Sequence, residues 1–152
     1  MLMPSDEKYM RLALEHAEEA ARCGEVPIGA VLVKDDAVIA ADRNRREEFM
    51  DATAHAEILV IRRAGEALGG WRLSGCTLYV TLEPCPMCAG AMVLARLDRL
   101  VYGAADPKSG AAGTLYDLVN DPRLNHRLSV SCGILTGDCA SVLQKFFRER
   151  RL

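Results

Sequence analysis

The sequence predicts an α/β chain, folded as a three-layer α/β/α sandwich around one mixed sheet of about five strands. Three observations carry that expectation. Apolar runs of strand length, at 27–33, 77–82 and 99–104, are interleaved with stretches in which Leu, Ile, Ala and Met recur at helical spacing. The first run is followed by Asp35-Asp36 and a second apolar stretch at 37–40, which reads as a hairpin. No internal repeat, linker or low-complexity segment interrupts the pattern, so 1–152 is expected to form one domain.

Taken in order, Ser5 can cap a first helix whose opening turn carries Asp6 and Glu7, acidic residues suited to the positive end of the helix dipole. Met10, Leu14, Ala17 and Ala21 continue it, and Gly24 is a natural stop. The hairpin follows, and then a polar stretch at 43–51, with three arginines and Asn44, that reads as a loop. A second helix is expected over 54–68 through Ile58, Leu59, Ile61 and Ala64, with Thr53 as its cap and Gly69-Gly70 as its break. The run at 77–82 is the clearest strand; Pro84 ends it, and small residues at 88–97 form a helix. A strand at 99–104, a loop at 106–113, a short helix at 115–119, a turn at Asp121-Pro122, a weaker strand at 129–135 and an amphipathic helix at 138–150 complete the chain.

Composition narrows the function. The formal charge is -2, which excludes a generally basic coat for indiscriminate nucleic-acid binding but allows a local basic patch. No basic-then-apolar leader opens the sequence and no apolar run approaches a membrane span, so a cytoplasmic, reducing location is expected and a membrane partner is not. In that setting a close pair of cysteines points to metal or redox chemistry rather than a disulfide. Cys23, Cys76, Cys132 and Cys139 stand singly among small and apolar neighbours and read as packed thiols.

The chemistry gathers in two short motifs, Thr53-Ala54-His55-Ala56-Glu57 and Glu83-Pro84-Cys85-Pro86-Met87-Cys88. Cys85 and Cys88, two residues apart at a strand-to-helix junction, can reach one ion from a single turn, and His55 at the opening of another helix is the obvious third ligand. A Cys-x-x-Cys pair alone is also compatible with redox or structural-zinc roles. No fourth ligand has a comparable motif: His16 lies mid-helix, and His126, between Asn125 and Arg127, suits a turn or surface contact. Three protein ligands and an open position favour a catalytic zinc, with Glu57 projecting beside it as a proton shuttle for the water.

These motifs resemble the signature of the zinc-dependent cytidine/deoxycytidylate deaminase superfamily, for which the roles are known. The resemblance implies a cytidine deaminase-like fold and one zinc per subunit on His55, Cys85 and Cys88. It also implies that Glu57 activates the attacking hydroxide, then protonates the ring nitrogen and the departing ammonia. Within the superfamily the chain is similar to the bacterial tRNA-specific adenosine deaminases, which convert the wobble adenosine of an arginine tRNA to inosine. The similarity runs almost end to end, through 24–31, 51–57, 78–85, Gly110-Ala111-Ala112-Gly113 and Leu124-Asn125-His126-Arg127. Ala52 departs from it, standing where that family often has Pro.

The same resemblance implies that Asn44 contacts the flipped adenine or its ribose, and that Asp106, Lys108 and Ser109 sit in a loop gripping the neighbouring nucleotides. Read from the residues alone, Asn44 is equally a loop cap, and Asp106 and Lys108 a solvated turn. Val26 and Pro27 are either strand-entry residues or a wall of the base pocket. Lys145, Arg148, Arg150 and Arg151 either reach the anticodon stem through phosphate contacts or form a solvated helix end. A homodimer is implied, and the small-residue helix after Cys88 would permit close packing against a partner. The expected partner is a tRNA anticodon stem-loop, not DNA. Two rivals stand beside this reading: a zinc deaminase of a free base or nucleoside, of guanine or cytosine type, and a non-catalytic zinc-stabilised RNA-binding module, which would have no use for Glu57.

Overall fold

The computed structural model describes residues 2–150. Its elements are α1 (Asp6–Arg22), β1 (Gly29–Lys34), β2 (Ala37–Arg43), α2 (Arg46–Phe49), α3 (Ala56–Leu68), β3 (Cys76–Leu82), α4 (Pro86–Leu94), β4 (Arg99–Ala104), β5 (Ser129–Cys132) and α5 (Thr136–Arg150). The five strands form one sheet in the order β2-β1-β3-β4-β5. The β1 strand runs antiparallel to β2 and β3, and β3, β4 and β5 run parallel, so the sheet is mixed as the hairpin foretold.

Strand alternation decides which helices cover which face. Ala30, Leu32, Leu78, Val80, Leu100 and Tyr102 share a core with Val60 and Ala64 of α3 and Ala89 and Met92 of α4. Val31, Val33, Tyr79 and Val101 face the other way, against Tyr9, Met10, Ala13 and Leu14 of α1 and Cys139 of α5. The three layers follow directly. Where α1 crosses β1 the backbones nearly touch: a Cβ on Gly29 would lie 2.0 Å from the Ala13 carbonyl oxygen, so only glycine fits.

The strand directions also choose the location of the site. Gly29 pairs with Arg43, Ala30 with Val80, and Leu82 with Ala104. The start of β1 and the ends of β2, β3 and β4 therefore emerge at one edge of the sheet, and the segments 26–28, 43–46, 83–85 and 104–109 meet there. In an open sheet this edge is where ligands bind.

Several expectations change at the element ends. Ser5 occupies the N-cap of α1 but makes no side-chain cap bond. Asp6 does the ordering instead: its carboxylate accepts from the Met3 N–H, the Tyr79 hydroxyl and two nitrogens of Arg99. The stretch read as a loop at 43–51 contains α2, because the buried Glu25 carboxylate accepts the N–H groups of Glu47 and Glu48 at 3.1 and 2.8 Å. The expected helix at 115–119 is absent. Leu115 and Tyr116 both donate to the Gly110 carbonyl, and Ala112 bridges Asp117, giving a chain of turns.

Residue 55, not 53, is the N-cap of α3, and Thr53 bonds to Asp51. The fourth helix begins at Pro86, earlier than its small residues suggested, and ends at Leu94. The first strand starts after Pro27, β2 runs on to Arg43, and β5 stops at Cys132. Cys76 and Cys139 are packed thiols as expected, but Cys23 and Cys132 are exposed, which corrects the uniform reading of the single cysteines.

Candidate metal centre and substrate cavity

Two helix N-termini supply the centre. His55 is the N-cap of α3 and Cys85 the N-cap of α4, both with extended backbone, and neither side chain caps its own helix. A residue at that position ordinarily turns its side chain back onto the first free N–H groups. Here both side chains turn outward toward each other, and Cys88, in the first turn of α4, joins them. His55 Nδ1 lies 3.7 Å from Cys85 Sγ and 3.5 Å from Cys88 Sγ. All three donor atoms fall within 4.8 Å of one another.

The donor set fits zinc. Ligands at ordinary Zn–N and Zn–S lengths on a tetrahedron are about 3.5–3.8 Å apart, the spacing His55 Nδ1 has from each sulfur. Both helix dipoles present positive ends to the thiolates. The Cys88 thiol donates to Cys85 and, with His55, holds Cys85 down to about 4. The bond to Cys85 and burial push Cys88 far up in turn. The bond to Cys85 raises His55. Neither His16 nor His126 belongs to the cluster; the His126 Nε2 lies 2.6 Å from the Leu97 carbonyl oxygen, a structural contact in the turn.

Glu57 stands two residues beyond His55 and is 4% exposed. Its Oε1 is buried without a hydrogen-bond partner. An orphaned carboxylate oxygen beside a nitrogen-and-sulfur donor set is what a site prepared for a further polar group requires. Burial pushes the Glu57 carboxyl up to about 7, in the range of a group that both takes and returns a proton near neutrality.

A cavity of about 870 Å³ opens beside His55; Cys85, Cys88 and Glu57 are not among its lining residues. Its walls bring together Val26, Asn44, His55, Asp106, Lys108 and Ser109, all named from the sequence. Pro27 is buried beside Val26 but is not among the lining residues; Ile28 takes that place. Of the two readings of Asn44, the cap has a bond behind it. The Asn44 Oδ1 accepts the Ala56 N–H at 2.8 Å, capping α3, and the residue also lines the cavity. Asp106 likewise shapes its own turn, accepting from the Lys108 N–H, the Ser109 N–H and the Ser109 hydroxyl.

Sequence reasoning missed one whole wall. Ala140, Leu143, Gln144, Phe147 and Arg148 of α5 line the far side. The first four recur at intervals of three and four residues, the spacing of a helix face, and such a stripe reads as core unless something shows it facing a cavity. Arg46, placed by the unforeseen α2, is a further addition, as are Leu82, Ala104, Ala105 and Pro107. Arg148 is brought to the cavity as the basic C-terminal end suggested, Arg150 lies over the Phe146 ring, and Arg151 is outside the described residues.

Comparison with known proteins agrees with this geometry. The MafB19-like deaminase family matches residues 4–151. A tRNA-specific adenosine deaminase of Bacillus subtilis is 54% identical over 149 residues, covering 98% of this chain and 92% of that protein. One from Agrobacterium fabrum is 53% identical over 144 residues, covering 95% of each. A solved structure from work on A-to-I editing by tRNA deaminases at the wobble position superposes with a TM-score of 0.87 at 51% identity, over 90% of this chain and 99% of that one. A guanine deaminase from Nitrosomonas europaea superposes with a TM-score of 0.78 at 27% identity, over 96% of this chain and 85% of that one. The fold, the His-Cys-Cys cluster and these identities together establish that the chain belongs to the MafB19-like deaminases and, within them, to the tRNA-specific adenosine deaminases.

Proposed function

We propose that the chain, acting as one catalytic domain, hydrolytically deaminates the wobble adenosine of a tRNA, an arginine tRNA in the first instance, to inosine. One observation carries the substrate class. The cavity that contains His55 and Asn44 continues to a rim where Arg46, Lys108 and Arg148 stand exposed. A free base has no phosphate to meet three cations. An anticodon loop offers phosphates together with unstacked bases that can be splayed into a pocket.

Held by His55, Cys85 and Cys88, a zinc ion would supply the Lewis acidity that brings the ionisation of a water close to neutral pH. Glu57 takes one proton from the reacting water and gives it to the ring nitrogen. It then takes the remaining hydroxyl proton and gives it to the amine, which leaves as ammonia while the carbonyl forms. The burial of Glu57 keeps bulk water from competing for these protons. Asn44 orients the nucleoside through its amide N–H, Val26 and Ile28 wall the base, and Asp106, Lys108 and Ser109 grip the adjoining nucleotides.

The same reading includes a homodimer. Behind the metal centre a groove of about 550 Å³ is lined by Ile61, Trp71, Ala91 and Leu94, with Leu94 69% and Trp71 56% exposed. A second copy would cover that apolar surface, and a stable monomer in sedimentation at micromolar concentration overturns this part. We place the protein in the cytoplasm with its tRNA; no helix among the described residues is long and apolar enough to cross a membrane.

The deciding assay incubates the zinc-loaded chain in parallel with an adenosine-wobble stem-loop, free adenosine and guanine. Inosine in the stem-loop alone is the expected result. The structural overlap with the guanine deaminase makes a free-base substrate the specific alternative, and turnover of the small molecules alone establishes it in place of the RNA.

A further inference from the structure

Glu83 is 2% exposed and plays no part in the chemistry above, yet its carboxylate accepts four hydrogen bonds. Its Oε1 accepts the Asp106 N–H and the Thr114 hydroxyl. Its Oε2 accepts the Ala112 N–H at 3.0 Å and the Thr114 N–H at 3.1 Å. The backbone on either side adds two more ties: the Glu83 N–H donates to the Ala104 carbonyl and the Ala111 N–H to the Pro84 carbonyl, each at 2.8 Å. The segment 83–85, which ends in Cys85, and the loop 105–114, which carries Asp106, Lys108 and Ser109, are thereby one piece. Gly110 allows the approach; a Cβ there would lie 2.5 Å from the Glu83 carboxyl carbon and 2.6 Å from the Asp106 carbonyl oxygen.

We propose that Glu83 is a positioning residue for the nucleic-acid substrate: it holds the loop 105–114 in register with Cys85, so that groups gripping the flanking nucleotides meet the RNA at a fixed distance from the metal centre. This rests on the tRNA reading given above. A loop of ten residues that has no regular structure needs such a fastening if it is to keep a wall in place without paying to order it at each binding event. An acceptor-only carboxylate suits the task, because every group that faces it is a donor.

The chemistry of the variant Glu83→Gln follows from that count. One oxygen becomes an amide that donates. Placed toward Ala112 and Thr114, it would meet two backbone N–H groups that cannot turn away. Placed toward Asp106, it meets one, while the Thr114 hydroxyl can rotate to accept. The second orientation prevails and releases the Asp106 end of the loop specifically. Thr114→Val removes one hydroxyl bond and leaves Glu83 and all backbone bonds in place.

The test measures stem-loop deamination, zinc content and thermal melting for the zinc-loaded chain and both variants. In Glu83→Gln the KM for the stem-loop is expected to rise about tenfold, with zinc stoichiometry kept and the saturated single-turnover rate within about threefold of the parent. Thr114→Val raises KM less, and it carries the test alone if Glu83→Gln does not fold. Hydrogen exchange at the amides of Asp106, Ala112 and Thr114 should accelerate in step with KM. Unchanged KM in every variant that folds, or a fall in zinc content or saturated rate without a change in KM, makes Glu83 a fold or metal-site residue and overturns the proposal. A zinc-loaded parent chain inactive on the stem-loop overturns the tRNA reading instead, and the proposal falls with it for that separate reason.

Discussion

Asn44 caps the helix that His55 opens: its Oδ1 accepts the Ala56 N–H at 2.8 Å. The His55 side chain does not cap its own helix, and the cap is supplied from the end of β2, twelve residues upstream in the chain. In the proposed mechanism the same carboxamide also serves the substrate, through its nitrogen. The two uses can be separated by substitution. Asn44→Asp keeps an acceptor for Ala56 at a helix N-terminus, where a carboxylate is favoured, but loses the donor. Its melting temperature should stay near the parent value while kcat/KM on the stem-loop falls about 10- to 100-fold. Asn44→Ala loses the cap as well and should cost about 1 kcal/mol of stability in addition. Equal melting temperatures for the two variants would remove the capping role.

Glu57 is buried with one oxygen unpartnered, so it costs the fold stability that its function repays. In Glu57→Ala the three donors at His55, Cys85 and Cys88 are untouched, and zinc content should remain that of the parent. Deamination should fall by about 10²–10⁴-fold, while the melting temperature of the zinc-free chain stays level or rises. Cys88→Ala should do the reverse to the metal, lowering zinc occupancy outright. Metal analysis beside single-turnover rates checks both; loss of zinc in Glu57→Ala would make it a ligand rather than a shuttle.

The contrast between these two residues explains what the sequence could and could not disclose. His55, Cys85, Cys88 and Glu57 were legible because their spacing is local: each motif lies within one helix entry. The sheet was legible through apolar runs of strand length, because both faces are covered: Val31 and Val33 face α1 while Ala30 and Leu32 face α3. The elements that failed are those ordered by distant partners. The second helix exists because Glu25 reaches across twenty-two residues to Glu47, and 115–119 forms turns next to a loop that Glu83 holds at Thr114 from thirty-one residues away. No window of sequence contains both ends of such bonds. The α5 wall was hidden for another reason, because an apolar stripe has the same spacing whether it faces a core or a substrate cavity.

Asp6 gives the fold a specific acid limit. Burial alone would raise its carboxyl, but the Arg99 pair, the Met3 N–H and the Tyr79 hydroxyl outweigh that and hold it down to about 2. A carboxyl depressed in the folded state contributes its stability above its unfolded pKa, near 4, and loses it as pH falls through the folded value. The contribution is therefore complete at neutral pH and disappears between about pH 4 and pH 2, with a size of about 2 kcal/mol. Urea melts of the parent and Asp6→Asn should differ at pH 7 and converge below pH 3. A difference that persists unchanged at pH 2 would assign the loss to packing instead.

Arg148 tests whether the cavity's rim meets a phosphate chain. It stands exposed on α5 and lines the same cavity as Arg46 and Lys108, so it contributes charge without a buried ion pair to lose. A contact with one phosphate releases about 0.7 of a counterion from single-stranded nucleic acid, which appears in the slope of log affinity against log salt. Arg148→Ala should therefore weaken stem-loop binding at low salt and flatten that slope by about 0.7, leaving melting temperature and zinc content at parent values. Truncating Lys108 as well should flatten it by a similar further amount, since separate phosphates add. Binding that weakens equally at every salt concentration would mean that Arg148 packs against a base rather than pairing with the backbone. The α5 wall would then be a stacking surface, with Phe147 beside it at 44% exposure as the side chain to truncate next.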